Sequence, residues 1–135
     1  DFTLSSLSTG TVTLSNEKNK VVVLFFLGYN CPSCQAAAFD IETNLYSPYS
    51  KRDDFKLYGL DLWNGSREAL EAFRDLTGVT FPLLLDASKA GTDYTTTYDR
   101  LVVIDKKGDI AFSGKAPATS DLASVKSKLN ELFAK

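Results

Sequence analysis

The chain holds two cysteines, Cys31 and Cys34, with Pro32 and Ser33 between them, and no histidine. Without histidine the commonest general base and transition-metal ligand is missing. Any chemistry must therefore come from thiols, carboxylates, amines or phenols. Two sulfurs at this spacing admit three readings: half of a zinc site, a pair of inert buried side chains, or a dithiol that cycles to a disulfide. A structural zinc site needs two further Cys or His ligands, and the sequence has none. Inert buried cysteines belong inside an element, whereas this pair opens one. Thiol redox chemistry is what the pattern selects, with no metal and no bound cofactor expected.

The surrounding pattern supplies the elements that such a pair needs. Val21 to Leu27 is an unbroken β-branched and aromatic run, the signature of a strand covered on both faces. Gly28-Tyr29-Asn30 turns the chain, and Ala38, Ile41 and Leu45 then recur at helical spacing up to Ser47-Pro48. The cysteines thus lie at a strand-to-helix junction. There, free backbone N–H groups and the positive end of the helix dipole favour a thiolate at the first sulfur. Cys31 is expected to be the nucleophile. Cys34, one turn on and facing the Ala38–Ile41 side, is expected to resolve. Pro32 suits the first turn because it has no N–H to leave unpaired.

Further along, Phe55 to Leu62 reads as a second strand. Asn64-Gly65-Ser66 caps a helix with Ala69, Leu70, Phe73 and Leu76 on its face, ended by Gly78. Phe81 to Leu85 is a third strand, and Lys89 to Tyr98 carries at most a helical turn, since Thr95-Thr96-Thr97 resists helix. Leu101 to Ile104 and Ile110 to Phe112 form a hairpin about Lys106-Lys107-Gly108. A last helix carries Leu122, Val125, Leu129 and Leu132, with Thr119 or Ser120 as cap. The first twenty residues read as a short edge hairpin. This order predicts an α/β fold, a mixed sheet flanked by helices, in one domain over residues 1–135.

Composition excludes several classes. A chain of 135 residues with 44% hydrophobic content can bury roughly two-thirds of its unfolded surface in one core. Fifteen basic against seventeen acidic residues, spread evenly for a net charge of -2, offer no basic stripe for nucleic acid. No apolar run approaches the ~20 residues that span a bilayer.

Asp1 to Leu4, Val21 to Leu27, Cys31 to Cys34, the run Gly78-Val79-Thr80-Phe81-Pro82-Leu83-Leu84-Leu85-Asp86 and Leu101 to Gly108 together resemble the thioredoxin-like proteins of the TlpA/ResA and redoxin (AhpC/TSA) group. The likeness implies a thioredoxin fold with an N-terminal β-hairpin and, within Phe55 to Phe81, an inserted strand-helix unit. It implies a thiol–disulfide oxidoreductase working on protein dithiols or disulfides. It also implies a periplasmic or otherwise extracytoplasmic setting, a membrane tether upstream of Asp1, and a membrane electron donor. A monomer is expected.

Departures from that group are informative. Asn30 stands where the group has tryptophan. Phe25 occupies the position where thioredoxin has a buried Asp, six residues before the first cysteine, and Ala37 that where ResA-like proteins have a Glu, three after the second, so neither familiar proton acceptor is present. Counting back from Asp105 puts Asp99 at the position of the group's cis-proline. The Tyr98–Asp99 bond is accordingly expected to be trans, with Asp99 nearer to Cys31 than Arg100 is. Peroxiredoxins share the scaffold and are the rival reading, but their Pro and Thr/Ser that orient peroxide are Leu24 and Gly28 here. A redox-inert interaction domain is the third reading. Tyr29, Asn30, Pro32, Tyr98 and Asp99 are candidates for a substrate groove, with Tyr94 a further aromatic. Trp63 and Asp61 either border the site or anchor the core, and tryptophan at a strand end is more often an anchor.

Overall fold

The computed structural model describes residues 1–8 and 10–134. Strands β1 (Thr3–Ser5) and β2 (Thr11–Thr13) form the expected antiparallel hairpin. The main sheet is built from β3 (Val21–Leu27), β4 (Phe55–Asp61), β5 (Leu83–Leu84), β6 (Arg100–Ile104) and β7 (Ile110–Ser113), in the order β5-β4-β3-β6-β7. β3 runs parallel to β4, and β4 to β5, while β6 is antiparallel to both β3 and β7. The sheet is therefore mixed, with β3 in the middle.

Every residue of β3 is buried, because its period-two alternation feeds two cores. Val21, Val23, Phe25 and Leu27 face one cluster with Cys34, Ala38, Ile41, Leu70, Phe73, Val125 and Leu129. These come from α1 (Pro32–Ile41), α3 (Arg67–Thr77) and α5 (Ala118–Phe133). Val22, Leu24 and Phe26 face the other cluster, with Leu60, Ala87 and Ala90, against which Leu4, Val12 and Tyr94 pack. That side is covered by the hairpin and by α4 (Ser88–Asp93). Between α1 and the short α2 (Ser47–Tyr49), residues Glu42–Tyr46 wind as a π-helical stretch.

α3 starts and stops as its residues dictate. The Ser66 side chain accepts the Ala69 N–H, and Gly78 closes the helix in the left-handed region, φ +72°. Two expectations are corrected. Leu76 is 68% exposed instead of packing inward, because Leu70, Phe73 and Thr77 make the buried line and Leu76 falls on its flank. α5 is capped by neither Thr119 nor Ser120: it begins at Ala118 after Pro117, and no local side chain caps it. Its first N–H is met from elsewhere in the chain, by Asp99.

Candidate active site

Three chain segments meet at one end of the sheet, and the topology explains why. The parallel neighbours β3 and β4 both end there, at Leu27 and Asp61, while the antiparallel β6 begins there, with Arg100 opposite Phe26. The turn after β3, the turn after β4 and the approach to β6 are thereby gathered. The crevice beyond the carboxyl ends of parallel strands, beside a reversal of strand direction, is where open α/β sheets bind ligands.

The turn after β3 closes with Cys31 N–H donating to Gly28 O at 3.0 Å. Cys31 is the N-cap of α1 in extended geometry, and Pro32 opens the helix. The Cys34 N–H donates to Cys31 Sγ at 3.2 Å, and Ser33 Oγ lies 3.2 Å from the same sulfur. A helix-terminal N–H aimed at sulfur suits a thiolate there. Cys31 keeps 3% of its surface exposed and Cys34 none, so an incoming group meets Cys31. Burial pushes the Cys34 thiol well above the ordinary range. A side-chain hydrogen bond to Cys31 and the charges of Cys31 and Asp99 push the same way, against a backbone hydrogen bond at Gly28. The two sulfurs thus differ as first and second reactant would.

Around the turn stand three aromatic rings. Trp63, after β4, meets Tyr29 edge-on at 6.2 Å and Tyr98 at 5.2 Å. Its ring lies over Gly28, where any Cβ would overlap it. Trp63 and Tyr98 remain 42% and 41% exposed. The fully buried Asp61 holds this rim together. Its carboxylate accepts N–H groups from Tyr29 at 3.1 Å, Trp63 at 3.1 Å and Gly65 at 2.7 Å. Burial raises the Asp61 pKa; these three N–H groups oppose that, and the charge of Asp86 adds to it.

Among the expected groove residues, Tyr29, Asn30 and Pro32 flank Cys31 in the chain, with Asn30 and Pro32 exposed. Tyr98 joins them through Trp63. Tyr94 does not: it packs on Phe26 at 5.8 Å, on the opposite face of the sheet. The Tyr98–Asp99 bond is trans, as expected. Asp99 is no open groove residue, being 5% exposed and in the left-handed region, φ +59°. Its N–H donates to Phe26 O at 2.6 Å, and the Ala118 N–H is shared between its carbonyl, 3.0 Å, and its Oδ1, 3.2 Å. The thiol on which its charge falls is Cys34. Trp63, expected chiefly as a core anchor, is instead the keystone of the rim. The signal that could have found it is Gly28, a residue without a side chain at the end of a strand of large ones.

A cysteine pair opening a helix beyond the central strand of a mixed sheet defines a thioredoxin-like thiol protein. The chain belongs to the AhpC/TSA family, which matches residues 1–113. Among its relatives is the thioredoxin-like protein YneN of Bacillus subtilis, 29% identical over 111 residues, 82% of this chain and 65% of that protein. The chain spans less than two-thirds of that relative. A solved structure from Bacteroides thetaiotaomicron, provisionally assigned as a protein disulfide isomerase, superimposes with a TM-score of 0.84. It is 29% identical, over 100% of this chain and 87% of that one. The bacterioferritin comigratory protein of Xanthomonas campestris, studied for alkyl peroxide reduction, shares the fold. Its TM-score is 0.78 at 18% identity, over 100% and 93% of the two chains. No helix among the described residues is long and apolar enough to cross a membrane.

Proposed function

We propose that this domain exchanges disulfides with protein partners, Cys31 attacking and Cys34 resolving. The observation that carries the reading is the asymmetry of the pair. Cys31 is an N-cap sulfur that accepts the Cys34 N–H, and Cys34 is fully buried behind it. In the first step Cys31 thiolate attacks a partner disulfide, forms Cys31–S–S–partner and releases one partner thiolate. In the second, Cys34 attacks Cys31 Sγ, closes the Cys31–Cys34 disulfide and releases the other partner sulfur. The reverse sequence oxidises a partner dithiol. No cofactor enters either step.

Peroxide reduction is disfavoured by the same turn. A peroxidase on this scaffold orients peroxide with a hydroxyl at the position of Gly28, and here that space is filled by the Trp63 ring. The resemblance to exported thioredoxin-like proteins supports a site of action outside the cytoplasm, with a membrane electron donor as one partner. Cell fractionation and co-purification with membranes test that setting.

Cys34→Ser should accumulate a mixed disulfide through Cys31, and Cys31→Ser should lose reactivity toward disulfides, both read by mass spectrometry. Preferential trapping through Cys34 would reverse the roles. Hydrogen peroxide should oxidise the reduced protein no faster than an ordinary thiolate; a stopped-flow rate orders of magnitude higher would favour the peroxidase reading.

A further inference from the structure

The turn that carries Cys31 has two flanks, and they differ in what they leave open to a second chain. On the β6 flank the backbone of Asp99 is spent. Its N–H donates to Phe26 O at 2.6 Å, and its carbonyl accepts the Ala118 N–H and the Arg100 guanidinium, each at 3.0 Å. A carbonyl has two lone pairs, so none is left for an incoming segment.

On the other flank, α1 and α3 cover the same face of the sheet, and a groove of about 320 Å³ lies between them. It opens at Tyr29 and Asn30, directly before Cys31, and is bordered by Gln35 on α1. Its α3 side is Ala69, Ala72 and Leu76, spaced as one helical stripe, with the buried Phe73 beneath. No charged residue lines it. Leu76 is 68% exposed, and Phe39, one helical turn beyond Gln35, is 61% exposed, so large apolar side chains face water on both helices. The Asn30 and Gln35 carboxamides hydrogen-bond to nothing among the described residues.

We infer that this groove seats the partner polypeptide beside its own cysteine, as an extended, uncharged segment bearing a large apolar side chain. The inference rests on the exchange reading proposed for the cysteine pair and names the kind of partner that pair takes. The apolar side chain covers the Ala69–Ala72–Leu76 stripe, where the two alanines leave room for it. The Asn30 and Gln35 carboxamides, each a donor and an acceptor, match the C=O and N–H groups of a peptide. Charged small disulfides find no counter-charge in the groove and would lose hydration on entering it. Because the groove is continuous with the Cys31 turn, a docked segment delivers its disulfide to that sulfur already oriented.

The test uses two uncharged peptides, acetyl-Gly-Leu-Cys-Leu-Gly-amide and acetyl-Gly-Gly-Cys-Gly-Gly-amide, each carrying its cysteine as the 2-pyridyl disulfide. Cys31 thiolate attacks the peptide sulfur, and the pyridine-2-thiolate that leaves is followed by its absorbance in a stopped-flow instrument. The reduced protein should react about tenfold faster with the leucine peptide, the order expected for partial burial of one leucine side chain. The readout is the ratio of the two rates within each protein, in which any change in the reactivity of the sulfur cancels. Leu76→Glu and Ala72→Glu each place a carboxylate on an exposed position of the groove wall and should bring the ratio close to one. Ile110→Glu, at a 53% exposed position on the edge strand β7, should leave it unchanged. A ratio near one in the unaltered protein, or a preference that survives both groove variants, would overturn the inference. So would loss of the preference in Ile110→Glu, which would mark it as unspecific apolar adhesion. Failure of both peptides to react with the unaltered protein is a separate result: the exchange reading itself then fails, and the inference with it.

Discussion

At the Val21 end of β3, Asp54 is bound by Arg52 through two contacts at 2.9 and 3.1 Å and by Lys106 at 3.1 Å. At the Leu27 end, Asp61 and Asp99 are both buried, and neither forms an ion pair among the described residues. One end neutralises its acid with cations in reach of water. The other holds its acids with backbone N–H groups alone, in a place where charge is costly. The hydrogen bonds from Arg52 hold the Asp54 carboxyl down at about 2 against the opposing effect of burial, with further help from Lys106. Burial moves Asp61 the other way. The two ends of one sheet thus hold their acids by different means, cations at the Val21 end and backbone N–H groups at the end that carries the cysteine pair.

The largest way to break this contrast is Asp61→Ala. It orphans the N–H groups of Tyr29, Trp63 and Gly65, and removing the acceptor from part-buried donors should cost about 2–4 kcal/mol in denaturant unfolding. Trp63 is the sole tryptophan, so its emission should shift toward the solvent-exposed form at the same time. A loss near zero would mean that the rim is held by ring packing alone. Next comes Gly28→Ala. The new methyl group overlaps the Trp63 ring, and overpacking of this kind costs about 1–3 kcal/mol. The variant should keep its far-ultraviolet circular dichroism, change Trp63 emission and alter the Cys31 reaction rate.

The pH dependence sharpens the contrast by its sign. Asp61 has a raised folded-state pKa, so its contribution is fully present below the unfolded carboxylate value near ~3.9 and is lost as pH rises through the folded value. Asp54 is depressed, so its contribution is present above ~3.9 and is lost as pH falls toward about 2. Melting curves of Asp54→Asn should therefore approach those of the unaltered protein at the acid end. At neutral pH this variant should show the smallest loss of Tm of the three, and one that disappears in high salt, as expected for a pair half open to water. A loss insensitive to salt would place Asp54 among the packed groups instead.

How much of the fold and site is legible in the chain tracks the range of each interaction. Val21 to Leu27 announces a doubly covered strand because both of its faces are apolar, and the Ser66 and Gly78 ends of α3 are written within four residues of the helix. The dithiol is visible because its two members are three apart. Asp61 and Asp99 are legible as residues beside the site, but their bonding roles are not, since Tyr29 and Ala118 lie 32 and 19 positions away. The cap of α5 escapes Thr119 and Ser120 for the same reason: local capping rules see only local acceptors. Leu76 misleads because helical spacing marks a stripe but not how much of it a neighbour covers.

The hairpin has a part to play far from the sulfurs. Its outgoing residues lie along β5, with Leu7 N–H donating to Leu83 O at 2.8 Å, Leu85 N–H to Ser5 O at 2.9 Å, and Ser6 bridging Leu84. They act as a selvedge on the two-residue strand that would otherwise be the raw border of the sheet. Removing residues up to Leu7 would bare those unpaired amide and carbonyl groups to the strand of another chain. Self-association would then result from losing the first few residues, with the cysteines untouched.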